Sequence, residues 1–482
     1  MSEVKKWVGR SVGLLILVIA TWSVLVYEGN RFIFSSFSVA VFAIGYLAVR
    51  SPIEYSHFFL GIAWFIGFWG KFVFHHALGR PYYEMSGSFD GASASWDSVL
   101  LVIGVGAAGY LAGRLAILPV VGSLTASLLE RQINPPRWWA TYRNLCWLMA
   151  AVLVAATLVL NHELGILVRG YVAQLVLPWP FGGLFAWMTD IGLALLLALL
   201  TAWDRQFGYG VIRGFAALCI EGMLVSVSTL SRGVYFFHTL PPLVTEGVEA
   251  AKGRRLQPVI VLFAIWVVVG IASPSASTFL RLFGQDAVPI TQADLDRSAK
   301  ISRPMFEYQT ANGLWEQFLT MGQFLLIDRW TGLEGVMATV AYPEKSQSLL
   351  AEAATQRRTY GVVDVYTKKI SGSTFNEENA KQYHFATLAG PIAFLYFSGS
   401  LVVVFFGMAC IAVIMSATEL LWRWLVRDRL LVAMSGLYLA LIVMQLSGGL
   451  VQAATGPLTV TGAFVAIWLM GRIGLRPLAI SM

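Results

Sequence analysis

The chain has 482 residues, of which 57% are hydrophobic and 13% charged, with a formal net charge of +7 and a mean hydropathy of +0.68. That balance excludes an ordinary soluble enzyme, and recurrent apolar runs of about 17 to 25 residues match the hydrocarbon thickness of a bilayer. The runs are continuous and rich in Leu, Val, Ala and Trp, which argues against a transmembrane barrel, and the basic residues are spread along the chain, which argues against nucleic acid as a partner.

Taken in order, the first run, Val12 to Val26, follows Lys5, Lys6 and Arg10 and lacks a small-residue cleavage site before a polar mature domain, so it reads as an uncleaved span. The pattern predicts an all-α polytopic membrane protein with twelve spans, near 11–27, 32–49, 57–75, 98–118, 144–160, 183–203, 212–230, 233–249, 257–274, 391–417, 430–447 and 451–471. With the N-terminus inside, 18 of the 34 Lys and Arg fall on cytoplasmic segments, among them Arg114 and Arg423, and five on short outer connections. The other 11 lie in one long outer loop. This asymmetry predicts both termini on the cytoplasmic side.

Three parts follow: residues 1–274 with nine spans, a large loop at 275–390, and residues 391–482 with three more spans. Two segments of the first part break the pattern. Residues 75–97, from His75 and His76 through Arg80 and Glu84 to Trp96 and Asp97, read as a polar, aromatic outer loop. Near 162–182, Gly165 to Gly170 and the run Leu177-Pro-Trp-Pro-Phe-Gly-Gly183 are too apolar for a plain loop and too broken for a span. A re-entrant or interfacial helix on the outer face is expected there. Cys146, Cys219 and Cys410 are scattered through apolar segments, form neither a disulfide framework nor a metal site, and read as core filler.

Arg232, in Thr229-Leu-Ser231-Arg232-Gly233, is a permanent cation within an apolar stretch, and such a side chain requires an anion, a water-filled cavity or a substrate. The topology places it at the outer end of a span, with Glu221, the nearest acid of that span, about three turns away.

The loop from Ser275 to Gly390 is far longer than a connector, and its 11 basic residues nearly cancel twelve acidic ones. Apolar helical patches at Leu314–Ile327 and Gly332–Val340 predict a small helical cap resting on the membrane core. Within it, Asp328-Arg-Trp-Thr-Gly-Leu-Glu-Gly335 joins Arg329, a guanidinium suited to phosphate, to Trp330, whose face suits a sugar ring. An ion pair of Arg329 with Asp328 or Glu334 is the plainer reading. His384, close to the next span, is placed to act as a base or as a local hydrogen-bonding group.

Thr229-Leu-Ser-Arg-Gly233, the basic turn at Gly253-Arg-Arg255, one further span and a large outer loop resemble the bacterial O-antigen polymerase and O-antigen ligase group. Asp328 to Gly335 and Gly390-Pro-Ile-Ala-Phe-Leu-Tyr-Phe-Ser-Gly399 look like its polymerase side. The resemblance covers about 212–417. It implies a GT-C-like, metal-independent glycosyltransferase of the bacterial inner membrane. Such an enzyme extends undecaprenyl-pyrophosphate-linked oligosaccharide at the periplasmic face without a cofactor, with a chain-length regulator protein as a further partner. A ligase-like His motif is not clearly present, and Arg329 to Gly335 is only a partial match to the spaced Arg-to-Gly repeats of some polymerases.

The chemistry can be argued independently. A pyrophosphate leaving group builds negative charge, which fixed cations stabilise, so Arg232 and Arg329 are the expected catalytic cations, with Arg80, Arg169 and Arg303 as substrate-binding ones. The acceptor hydroxyl needs a base, for which Glu84, Asp190, Glu163 and His384 are candidates. His238, two turns beyond Arg232, reads as an interhelical hydrogen-bonding residue at a substrate site. Rival readings are a transporter or flippase of lipid-linked or anionic solute, suited by broken helices, and a non-catalytic envelope assembly subunit.

Overall fold

The computed structural model describes residues 2–49, 53–78, 85–128, 138–178, 180–231, 233–251, 260–270, 332–357, 362–373 and 388–473, with a few isolated positions between them. These residues form helices and irregular connections, with no strand among them. A chain this apolar satisfies its backbone polar groups within each segment, and the helix does so without a partner. In order the helices are α1 (Ser2–Val26), α2 (Arg31–Val49), α3 (Tyr55–Trp64), α4 (Lys71–Leu78), α5 (Ser93–Leu128) and α6 (Trp139–Leu164). They continue with α7 (Phe181–Trp187), α8 (Leu193–Gln206), α9 (Ile212–Ser228), α10 (Val234–Ala251), α11 (Ile260–Gly270), α12 (Leu333–Ala341) and α13 (Gln347–Thr355). The last four are α14 (Pro391–Tyr396), α15 (Leu401–Val426), α16 (Arg429–Met444) and α17 (Leu450–Ile473). Seven continuous helical stretches among the described residues are long and apolar enough to cross a membrane, and their outward sides carry exposed Leu148, Val152, Val159, Val451 and Leu458. The protein is a helical membrane protein.

Helix ends sort onto two faces. On one, a chain of ion pairs ties Arg143 to Asp204, Arg205 to Glu246 and Asp428, and Arg429 to Glu249. We call this the basic face. The opposite, loop face gathers the α1–α2 turn, the start of α5, the 165–178 segment and the turn at 229–231. Here Asp97 Oδ1 accepts hydrogen bonds from Tyr27 Oη at 2.8 Å and from the Asn30 amide at 2.7 Å, which fixes the α1–α2 hairpin on α5.

α5 and α15 cross closely because α5 carries Gly109 and Gly113, four residues apart. A methyl at either position would run into the backbone carbonyl of Phe405 or Ala409. Small residues at this spacing let helix backbones approach in lipid, where packing rather than water exclusion drives association. Gly109→Leu is therefore expected to lower stability by about 1–3 kcal/mol, the usual cost of overpacking. A thermal unfolding curve of the detergent-solubilised protein that matches wild type would contradict this crossing.

Two expectations are corrected. The described residues between 165 and 180 hold turns and irregular chain instead of a re-entrant or interfacial helix. The cause is local: Gly165 ends α6 in the left-handed conformation (φ 54°), and Pro178 and Pro180 cannot donate within a continuing helix. Nor does Gly332–Val340 rest on the core as a cap. It forms α12, in which every residue from Leu333 to Thr339 is buried. The short helix enters the bundle because Gly335 fits against the Ala389 carbonyl, and beside it Ile392 of α14 fits against Gly106 of α5. Lys345 then reaches back so that its ammonium donates to the carbonyls of Thr339 at 3.2 Å, Val340 at 2.9 Å and Tyr342, closing the C-terminal end of α12. The patch at Leu314–Ile327 lies outside the described residues, apart from Ile327.

Candidate functional site

Six expected site residues, Arg80, Glu84, Arg232, Arg303, Arg329 and His384, lie outside the described residues. Arg169, Asp190, His238 and Trp330 are described, and the structure brings the first three together on the loop face.

Asn161, in the last turn of α6, organises this region. Its side-chain amide donates to the carbonyls of Leu167 and Ser228, both at 3.1 Å, and its Oδ1 accepts from the Leu167 amide at 2.8 Å. A single buried side chain thus fastens the Gly165–Gly170 turn to the end of α9. One turn further, the Arg169 amide donates to the Thr229 carbonyl at 2.8 Å. Beyond Thr229 the chain turns through Leu230, a non-glycine residue at φ 51°, and Ser231 exchanges two hydrogen bonds with Ser226 before the chain reaches position 232. A left-handed leucine is costly, and this one is held by bonds on both sides of it.

The Arg169 guanidinium pairs with Asp190, and both side chains are partly open to solvent. Asp190 lies inside the span expected near 183–203. It sits in a π-helical turn, Met188–Gly192, between α7 and α8. The extra residue of a π-turn rotates the helical register, here enough to lift a carboxylate out of an apolar helix toward Arg169.

His238 is fully buried, so its ring is not open to solvent. Its Nε2 lies 3.0 Å from the Asp190 backbone carbonyl and its Nδ1 lies 2.8 Å from Glu221 Oε2, with Glu221 also buried. A carbonyl only accepts, so Nε2 carries a proton, and a second proton must lie between Nδ1 and the carboxylate. The dyad holds two protons and is electrically neutral whichever partner keeps the shared one, which is how an acid and an imidazole coexist in an apolar bundle. The chain of contacts runs from Glu221 through His238 to the Asp190 turn and on to Arg169.

A second buried pair was not foreseen. Lys71, fully buried at the start of α4, lies 2.5 Å from Glu334 of α12 and donates to the Trp330 carbonyl at 3.1 Å. Glu334 is therefore a partner of Lys71; Arg329 lies outside the described residues. Lys71 follows a second π-helical turn, Phe65–Gly70, so both polar insertions on this side of the bundle occur where the helical register is shifted. Trp330 is half-buried against the core, which leaves part of its ring accessible. Lys71→Met is expected to destabilise the protein by about 3–5 kcal/mol, because it breaks a buried ion pair from one side. Lys71→Met with Glu334→Leu should recover much of the loss, and thermal melts of both variants check the pairing.

Near the basic face lies a third network. Arg114 pairs with Glu54, and Glu419 Oε1 accepts from Arg423 Nη2 at 2.7 Å. Glu419 also accepts from the amides of Tyr55 and Ser56 at 2.8 and 2.7 Å and from Ser56 Oγ at 2.6 Å. His57 bridges Tyr110 and Ser416. Arg114 and Arg423, expected on solvated cytoplasmic segments, are instead buried in these ion pairs. A sequence signal existed: Glu54 and His57 are three residues apart, and Glu419 and Arg423 four, the spacings that put polar groups on one helix face. Its charges balance, and it reads as a lock between α3, α5 and α15.

Of the cysteines, Cys219 is buried and Cys146 is partly buried against the core, while Cys410 is exposed on the side of α15, so the core-filler expectation fails for Cys410. Among the described residues no group of three or more His, Cys, Asp or Glu could hold a metal ion. No protein-family model matches the chain, and comparison with curated proteins and with solved structures finds no match.

Proposed function

We propose that the protein is a membrane glycosyltransferase that polymerises undecaprenyl-pyrophosphate-linked oligosaccharide repeat units at the periplasmic face of the bacterial inner membrane. In this reading it has twelve spans in a GT-C-like arrangement, both termini are cytoplasmic, and the loop face is periplasmic. The observation that carries the proposal is the hydrogen bond from the Arg169 amide to the Thr229 carbonyl. It ties a turn bearing one guanidinium, itself paired with the Asp190 carboxylate, to the short segment that leads to Arg232. Fixed cations suit a pyrophosphate leaving group, and a carboxylate whose own backbone turn is held by a buried dyad suits a base that must keep its orientation. Arg169 would release Asp190 as the anionic donor enters and draws the guanidinium to itself.

Deleting the gene in its host and separating the surface polysaccharide by gel electrophoresis tests this proposal. A polymerase predicts collapse of the length ladder to a single repeat unit. Loss of all attached polysaccharide with long lipid-linked chains left behind would favour the ligase reading instead. The transporter reading draws on one observation, the buried His238–Glu221 pair, since ionisable groups inside a membrane bundle often carry protons.

A further inference from the structure

A cavity of about 380 Å³ opens beside α13, lined by Tyr342, Glu344, Ser346, Ser348, Glu352 and Lys369, with buried Leu349 also at its wall. The volume falls within the roughly 300–1,000 Å³ usual for small-molecule sites. None of these residues belongs to the Arg169–Asp190 site. The lining is held in place from several directions. Ser346 is the N-cap of α13, accepting from the Leu349 amide at 3.2 Å, while its own amide donates to the Phe397 carbonyl at 2.8 Å. Lys369 reaches Glu352 Oε2 at 2.7 Å from the π-helical turn Tyr366–Ile370, and Tyr342 Oη donates to Glu344 Oε2 at 3.2 Å. Preorganised groups of this kind lose little freedom when a ligand arrives.

The chemistry of the wall selects the ligand. Two carboxylates and one ammonium give a net charge of −1, which repels phosphates and uronic acids. Two serine hydroxyls and two carboxylates, spaced around an open cleft, suit a molecule with many hydroxyl donors, and the Tyr342 ring offers a face for the C–H side of a sugar. Burial and the bond to Glu344 push the Tyr342 hydroxyl above its ordinary value, and the bond to Glu352 raises the Lys369 ammonium. Both groups stay protonated through the neutral range.

We infer that the Tyr342–Lys369 cleft is a binding site for a neutral or amino-substituted saccharide, separate from the Arg169–Asp190 site. It rests on the proposed glycosyltransferase activity only in that the saccharide is assigned as the growing chain or its acceptor. A cleft that rejects acids, in a molecule whose other site needs an anion, would keep the sugar end and the pyrophosphate end of a lipid-linked substrate from binding in the wrong order.

The test uses the full-length protein in lipid nanodiscs and a glycan array of neutral, amino-substituted and uronic acid oligosaccharides without lipid. Binding to neutral or amino members, absent for the uronic acids and weakened about tenfold by Tyr342→Ala, is expected from the loss of one aromatic contact. Glu344→Gln, which keeps the shape and removes a charge, should admit acidic glycans that the wild type refuses. Failure to bind any neutral or amino glycan, or binding indifferent to both substitutions, would overturn the site. A protein that binds glycans here yet fails to extend lipid-linked repeat units would retire the polymerase reading and leave the cleft standing.

Discussion

Arg232→Ala is expected to abolish chain extension while the protein still folds and inserts. The chain leading to position 232 is held at Thr229 by the Arg169 amide and at Ser231 by Ser226, bonds that the substitution leaves in place. Removing a fixed cation aimed at developing negative charge typically costs about 10²–10³ in rate. Arg232→Lys should retain only part of the activity, since a point charge lacks the planar fork that holds two phosphate oxygens. Polysaccharide of normal length from the alanine variant would remove Arg232 from the mechanism. An assembly role predicts a different pattern, in which both substitutions alter complex formation and neither changes turnover of lipid-linked substrate.

The second large effect concerns stability. Glu419→Ala should cost about 3–5 kcal/mol, because one carboxylate buried in α15 serves both Arg423 and the first amides of α3. Its loss strands a cation and two backbone donors inside the bundle at once. Glu419→Gln keeps an acceptor for the amides and surrenders only the charge, so it should fall between wild type and alanine. Melting temperatures of the three proteins in one detergent give the order directly. An alanine variant as stable as wild type would mean that the network near the basic face is not a lock. Because this network lies at the far end of the helices from Arg169 and Asp190, partial losses there should reduce protein yield without changing product length.

The helical membrane architecture was legible because span length is set by bilayer thickness and leaves a run of apolar residues too long to mistake. Arg169 and Asp190 were both legible as polar residues on one face, but not as a pair. Their meeting depends on a π-turn, which no periodicity rule anticipates when it inserts a single residue into an otherwise regular helix. Glu221 looked isolated, three turns from Arg232, because the partner that answers it, His238, comes from the next helix. α12 was misplaced for a related reason: a short apolar stretch with small residues suits a cap and a buried plug equally well, and only the fit of Gly335 against Ala389 separates them. The Tyr342–Lys369 cleft left no sequence signature, since its lining is gathered across nearly thirty positions by packing.

The central claim is that this chain itself joins lipid-linked repeat units. Purified protein in nanodiscs, supplied with undecaprenyl-pyrophosphate-linked repeat units and no other protein, should yield a ladder of products growing by one repeat at a time, and Arg232→Ala should yield none. Repeat units that remain single, or that cross the membrane without being joined, would contradict the account.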